Sequence, residues 1–304
     1  MRIVSLLPSC TEMVYALGEK VVGRSHECDW PEEVKKIKVM TKPKINATTS
    51  SSEINNQITN LVKQGLSVYD IDVQALKEAK PDVILTQDQC EVCAVSLEDV
   101  MKAVNTEINT KVKIISLKPM KFNDILDDIL KVGEAVGKKK QAQQAVEQIS
   151  KRKKYITDKT HAIGYMPKVA CIEWIDPIMA AGNWMPEMIE MCGGISVTGE
   201  AGKHSLRSTL EEIAEKRPEK IIIAPCGFSV EQSLRDINIL TENPLWQNIE
   251  AVKQGNVYAV DGNSYFNRPG PRIIDSLEIM AGIIWPEIFG EFITEDERIV
   301  KRLV

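Results

Sequence analysis

Cys90 and Cys93 stand in the stretch Gln-Asp-Gln-Cys-Glu-Val-Cys-Ala-Val that begins at Gln87, straight after the apolar run Val83-Ile84-Leu85. Two thiols three residues apart at the mouth of a strand can form a redox pair, supply half of a metal site, or line a pocket. Further donors occupy comparable places: Cys10 in Leu-Pro-Ser-Cys, and His26 and Cys28 in Ser-His-Glu-Cys-Asp-Trp. If these loops lie side by side, Cys10, His26, Cys28, Cys90 and Cys93 can gather around zinc, copper or an iron-sulfur centre. A redox pair would need a helix N-terminus to lower one thiol pKa, and a thioredoxin-like context is absent. Glu12, Asp29, Asp88 and Glu173 supply carboxylates, but no Ser-His-Asp set or His-Glu-x-x-His occurs, so binding without catalysis is expected.

The elements that must position these residues follow from periodicity. Short apolar runs (Ile3 to Leu7, Val21 to Gly23, Val83 to Leu85, Val112 to Leu117) alternate with helical patterns (Thr11 to Leu17, Ser52 to Lys63, Leu97 to Val104). Such alternation predicts an α/β domain with a mostly parallel sheet. From Phe122 to about Thr160 the pattern becomes unbroken helix, rich in strong helix formers. Its second segment, from Lys138 on, could span roughly 30 Å at about 1.5 Å per residue.

After Pro167 the α/β grammar returns: strands Val169 to Trp174, Ile221 to Ala224 and Asn256 to Val260; helices Pro186 to Met191, Ser208 to Glu215, Val230 to Leu240 and Arg272 to Ile284. "LKEAKPDVILTQ" from Leu76 and "IAEKRPEKIIIAP" from Ile213 echo each other, each a helix end, a proline turn and a buried strand. The expectation is α/β with two Rossmann-like lobes, residues 1–121 and 165–304, joined by a rigid backbone helix within a helical linker, 122–164, with a cleft between the lobes.

In open α/β sheets, ligands bind beyond the carboxyl ends of the strands. The residues expected there are Pro8, Ser9, Cys10, His26, Cys28, Trp30, Gln87, Gln89, Cys90 and Cys93 in the first lobe, and Trp174, Trp184, Phe266 and Arg268 in the second. Aromatic rings with scattered polar groups suit a large, flat, partly apolar ligand. If that ligand carries a metal, His26, Cys28, Cys90 and Cys93 are the candidates to touch it. Trp246 and Trp285 are expected to pack against the lobe, and Cys171 and Cys192 to be small buried apolar groups.

The net charge of −5 and the lack of a long Lys/Arg block argue against nucleic acid as partner. An odd seven cysteines at irregular spacing do not form a disulfide framework, and Ile3 to Leu7 is too short for a signal peptide or membrane span. A cytoplasmic location with reduced thiols is therefore expected, with an exported one as runner-up, and no membrane insertion.

The stretches "RIVSLLPSCTEMVYALG", "VVGRSHECDWP", "LKEAKPDVILTQ", "AAGNWMPEMIEMCGG" and "SYFNRPGPRII", together with the long linking helix, cover nearly the whole chain in order. Together they resemble the cobalamin-binding members of the ABC-transporter substrate-binding proteins with a rigid helical backbone. The resemblance implies little hinge motion and a clasp on cobalamin or a related corrinoid between aromatic and loop residues, for uptake or intracellular handling; a monomer is expected. Ferric siderophores and haem are the ligands of relatives and so the alternatives. For the exported members the partner is a transporter permease; for a signal-less branch no motif implies the partner. The cleft-lip thiols and the missing export signal depart from that pattern and resemble a signal-less branch.

Overall fold

The computed structural model describes residues 1–64, 66–87, 100–102, 104 and 112–304. They cluster into two compact units, each treated by itself. The first holds Met1–Thr49, Asn56–Pro119 and Asn123–Gln148; the second holds Ser50–Asn55, Met120–Phe122 and Ile149–Val304.

The first unit contains β1 (Ile3–Ser5), β2 (Val21–Arg24), β3 (Thr41–Pro43), β4 (Tyr69–Ile71), β5 (Val83–Gln87) and β6 (Lys113–Leu117). The order β2-β1-β5-β6 is parallel throughout, while β3 and β4 form a separate antiparallel pair. Both faces of such a sheet are covered, which is why β1 and β5 read as apolar runs and are buried. The chain leaves β1 toward β2 on one side and later returns to β5 on the other. That reversal opens a crevice at the carboxyl ends of β1 and β5. The helix Pro8–Ala16 follows β1 directly, with proline in its first turn, where a missing N–H costs nothing.

The unbroken helix expected from Phe122 to Thr160 is corrected: two helices, Phe122–Ala135 and Lys139–Thr160, meet at a turn. Gly137 takes φ +73°, its N–H reaches Glu134 O (3.3 Å), and Lys138 N–H reaches Gly133 O (2.6 Å), the paired bonds of a Schellman stop. Gly133 lets the two helices close up, since a Cβ there would lie 2.4 Å from Ala142 Cβ. Nothing lies within 4 Å of a Cβ on Gly137, so Gly137→Ala should cost only the left-handed backbone penalty, about 1 kcal/mol, in urea unfolding. Of the helix Lys139–Thr160, residues to Gln148 belong to the first unit and those from Ile149 to the second.

The second unit adds β7 (Lys168–Trp174), β8 (Met179–Ala180), β9 (Ile195–Ser196), β10 (Leu206–Arg207), β11 (Lys220–Ile223), β12 (Val257–Val260) and β13 (Val300–Arg302). Its order is β10-β8-β7-β11-β12-β13, with β9 also beside β7. The centre, β7-β11-β12, is parallel; β8, β10 and β13 pair antiparallel to their neighbours. Ala170, Ile172, Ile221, Ile223, Val257 and Trp246 build one buried cluster. Cys171 and Cys192 are fully buried, and burial pushes both thiols well up. Trp285 is buried too, and its indole N–H donates to Cys192 O (2.8 Å). The helix expected from Val230 to Leu240 divides into Val230–Asp236 and the single turn Asn238–Thr241. Among the described residues, no helix is long and apolar enough to cross a membrane.

Candidate functional site

In the first unit, a chain of hydroxyls ties the end of β1 to the loop after β2. Ser5 Oγ donates to Leu7 O (2.9 Å), Thr11 Oγ1 donates to Ser5 Oγ (2.8 Å), and Cys28 Sγ lies 3.0 Å from Thr11 Oγ1. Arg24, at the end of β2, spreads its guanidinium over that loop: Nη1 donates to the carbonyls of Ser25 (2.9 Å), His26 (3.3 Å) and Cys28 (3.1 Å), and Nη2 to Lys35 O (3.2 Å). These bonds shape the loop whose outer residues are His26 and Trp30. Trp30 is 51 % exposed.

His26 is half-buried. Its Nδ1 lies 2.7 Å from Thr41 Oγ1, its backbone N–H donates to the same oxygen (3.0 Å), and its ring sits 5.3 Å from that of Tyr69. Burial, with help from the Arg24 charge, holds its pKa down at about 4, so the imidazole is neutral at physiological pH. Tyr69 Oη donates to Glu27 Oε1 (3.0 Å). Pro8 opens the helix after β1, and Ser9 and Gln87 are buried at the same sheet end.

Two expectations change here. Cys10 is not a lip residue: it is fully buried on the inner side of its helix, and burial first, then the Asp128 charge, raises its thiol pKa well above the usual range. Cys28 is likewise buried. Gln89, Cys90 and Cys93, with Asp88 and the expected helix from Leu97 as far as Asp99, lie outside the described residues. Among the described residues, no group of three or more His, Cys, Asp and Glu side chains is placed to hold a metal ion, and the thiol-metal alternative gains no support.

In the second unit, the carboxyl ends of β7, β11 and β12 carry the corresponding rim. Trp174 is half-buried, with its ring 4.9 Å from that of Phe228 and its indole N–H donating to Asp176 O (3.0 Å) and Ser51 O (3.3 Å). Glu173 beside it accepts from the Ser205 hydroxyl (2.7 Å), and desolvation raises its pKa. Trp184 and Phe266 are corrected to core residues: Trp184 is 3 % exposed, its indole N–H donating to Phe266 O (2.9 Å), and Phe266 is fully buried. A side chain that follows a strand can turn inward, and an apolar ring does so when a neighbouring carbonyl can take its N–H. Arg268 is also buried, where it clamps its own loop through Asn263 O (2.9 Å) and Asn263 Oδ1 (3.2 Å). Arg272 stacks over Tyr265, 5.0 Å from the ring centroid.

Sequence reasoning missed Arg24, Ser25, Thr41, Tyr69 and Phe228. Of these only Arg24, a charge at the end of an apolar run, carried any signal.

Parallel-cored sheets whose carboxyl ends present half-exposed rings and neutral polar groups define an α/β ligand-binding protein. The chain belongs to the periplasmic binding protein family, which it matches over residues 3–263. It is 26 % identical over 298 residues to a Bacillus subtilis protein described as the uncharacterized ABC transporter substrate-binding lipoprotein YvrC, covering 95 % of this chain and 82 % of that one. It is 22 % identical over 293 residues to the vitamin B12-binding protein of Vibrio cholerae, covering 91 % and 86 %.

Two solved structures share the fold. The periplasmic vitamin B12 binding protein BtuF of V. cholerae superposes with a TM-score of 0.65 at 19 % identity, covering 95 % of this chain and 98 % of that one. IsdE of Staphylococcus aureus, complexed with heme, superposes at 0.70 with 16 % identity, covering 93 % and 98 %. Substrate binding is thus this protein's class of function.

The cytoplasmic location is corrected. The family is periplasmic and its relatives include an ABC transporter lipoprotein, which points to an exported protein. Cysteine count discriminated poorly because Cys10, Cys28, Cys171 and Cys192 are buried and act as small apolar groups.

Proposed function

We propose that the protein binds a corrinoid, cobalamin or a close relative, without transforming it, and passes it as a monomer to a transporter permease. The observation that carries this is the make-up of the rims: a neutral imidazole and a half-exposed indole on one loop of the first unit, and the half-buried Trp174 against Phe228 in the second. Flat apolar faces with few charges match a macrocycle whose periphery is amides, better than they match a phosphate or a polyanionic chelate. The printed functions of the V. cholerae relatives support the same reading. Pro8, Ser9 and Gln87 are also proposed to meet the ligand, as are Gln89, Cys90 and Cys93, which lie outside the described residues.

The test is a set of titrations of the purified protein with cyanocobalamin, cobinamide, haemin and a ferric siderophore, followed by tryptophan quenching and calorimetry. Corrinoids are expected to bind in the micromolar range or tighter, by at least about 1.4 kcal/mol over haemin, a tenfold preference. Tighter binding of haemin or siderophore, or no corrinoid binding, overturns the proposal.

A further inference from the structure

Thr41 Oγ1 has its hydrogen-bonding capacity fully used. It donates its one proton to Ser25 Oγ (3.2 Å) and accepts from the His26 backbone N–H (3.0 Å). A hydroxyl offers one proton and two lone pairs. In that arrangement it turns its second lone pair toward His26 Nδ1, 2.7 Å away. With the Thr41 proton on Ser25 the ring proton sits on Nδ1, which leaves the lone pair on Nε2; with the Thr41 proton on the ring the tautomer is reversed, and the first arrangement is the one taken here. Ser25 Oγ is in turn held as an acceptor by Glu27 N–H (3.3 Å).

Among the described residues, no partner lies within hydrogen-bond length of Nε2. Glu27 Oε1 is 3.9 Å from Nε2, beyond hydrogen-bond length, and already accepts from Tyr69. The His26 side chain keeps 22 % of its surface exposed. A neutral imidazole whose far nitrogen is tied by its N–H and whose near nitrogen is bare is the arrangement that metal-binding histidines adopt, and the tie sets ring orientation and basicity.

We propose that His26 Nε2 is a preformed axial ligand for the metal at the centre of the bound chelate, with Thr41 and Ser25 as positioning residues that fix its tautomer. This rests on the reading of the ligand as a corrinoid. In the ligation step the Nε2 lone pair forms a coordinate bond to cobalt(III) and a cobalt-bound water leaves. Cobalt keeps its oxidation state, and no proton moves, because Nε2 has none to lose.

Two measurements test it. Nitrogen-15 NMR of the ligand-free protein near neutral pH reads the tautomer directly: a pyrrole-type Nδ1 and a pyridine-type Nε2 are expected, and a proton on Nε2 overturns the proposal whatever the ligand. Visible spectra of diaquacobinamide, whose axial positions hold only water, then read ligation. The wild type should shift the bands as added imidazole does in free solution. His26→Gln should still bind but without the shift and roughly tenfold or more weaker, and Thr41→Val should keep the shift with affinity down about tenfold. Imidazole added to His26→Ala should restore the shifted spectrum. Binding by the wild type with unshifted bands, or an unchanged spectrum in His26→Gln, overturns the ligation while leaving corrinoid binding intact. Failure of every corrinoid to bind the wild type overturns both.

Discussion

Relative to the wild type, Asp128→Asn is expected to gain about 2 kcal/mol or more of stability as the pH is raised from about 4 to about 8. Asp128 lies in the helix Phe122–Ala135, buried, with no hydrogen-bond partner for Oδ2 among the described residues. Burial raises its pKa to about 7, Lys131 pulls the other way, and Asp124 and Asp127 on the same helix add to the rise. In the unfolded chain the carboxyl ionises at its ordinary value near 3.8. The folded state thus holds the proton more tightly. The contribution is fully present below the unfolded pKa and is lost as the pH rises through the folded one. A shift of roughly 3 units corresponds to a ceiling of about 4 kcal/mol, and water entry and relaxation reduce it.

His26 acts in the opposite sense. Its folded pKa of about 4 lies below the ordinary 6.5, so its contribution grows as the pH rises between those values. The wild-type curve alone therefore mixes the two. The diagnostic is the difference between wild-type and Asp128→Asn urea titrations at several pH values; parallel curves would remove Asp128 from the account.

The central strands were legible because parallel strands buried on both faces need unbroken apolar runs, as in Ile3-Val4, Val83-Ile84-Leu85 and Ile221-Ile222-Ile223. The pieces that escaped, β3, β4, β8, β10 and β13, are two or three residues long, and a strand such as Thr41-Lys42-Pro43 has no alternation to read. The Gly137 stop was hidden inside an otherwise continuous helical pattern, although glycine followed by three lysines is what a helix end followed by a restart looks like.

For the site, sequence order located the loops after the strands but not the direction of their side chains. His26, Trp30 and Trp174 keep exposed surface there, whereas Cys10, Trp184 and Phe266 turn into the core. That choice is made by partners remote in sequence, such as the carbonyl 82 residues away that accepts from Trp184. Thr41 and Ser25 could not have been found at all. A hydroxyl has no sequence signature for the proton it gives away, and its role at His26 exists only once β2 and the start of β3 are side by side.

The second unit's rim depends on backbone packing so close that one methyl group should undo it. Gly199 has φ +71°, and a Cβ there would lie 1.8 Å from Ala181 O and 2.8 Å from Ala181 C, backbone atoms that cannot swing aside. Residues 181–183 are laced to the segment after Gly199 by Asn183 N–H to Lys203 O (2.6 Å), Gly202 N–H to Asn183 O (2.9 Å) and Gly182 N–H to Ser205 Oγ (3.0 Å). Ser205 in turn holds Glu173 at the end of β7. Gly199→Ala combines left-handed strain with overpacking, each worth about 1–3 kcal/mol, so a loss of about 3 kcal/mol or more is expected. Two other glycines separate the causes. Gly227 has φ +77° with open space around its Cβ and should cost only about 1 kcal/mol as alanine. Gly164 has neither constraint and should cost close to nothing. Urea midpoints in the order Gly199→Ala far below Gly227→Ala, with Gly164→Ala near the wild type, are the expected outcome. Equal losses at Gly199 and Gly227 would mean that residues 181–183 can retreat, and then Trp184 fluorescence and ligand affinity should shift together, because the indole anchored on Phe266 O is the next residue along.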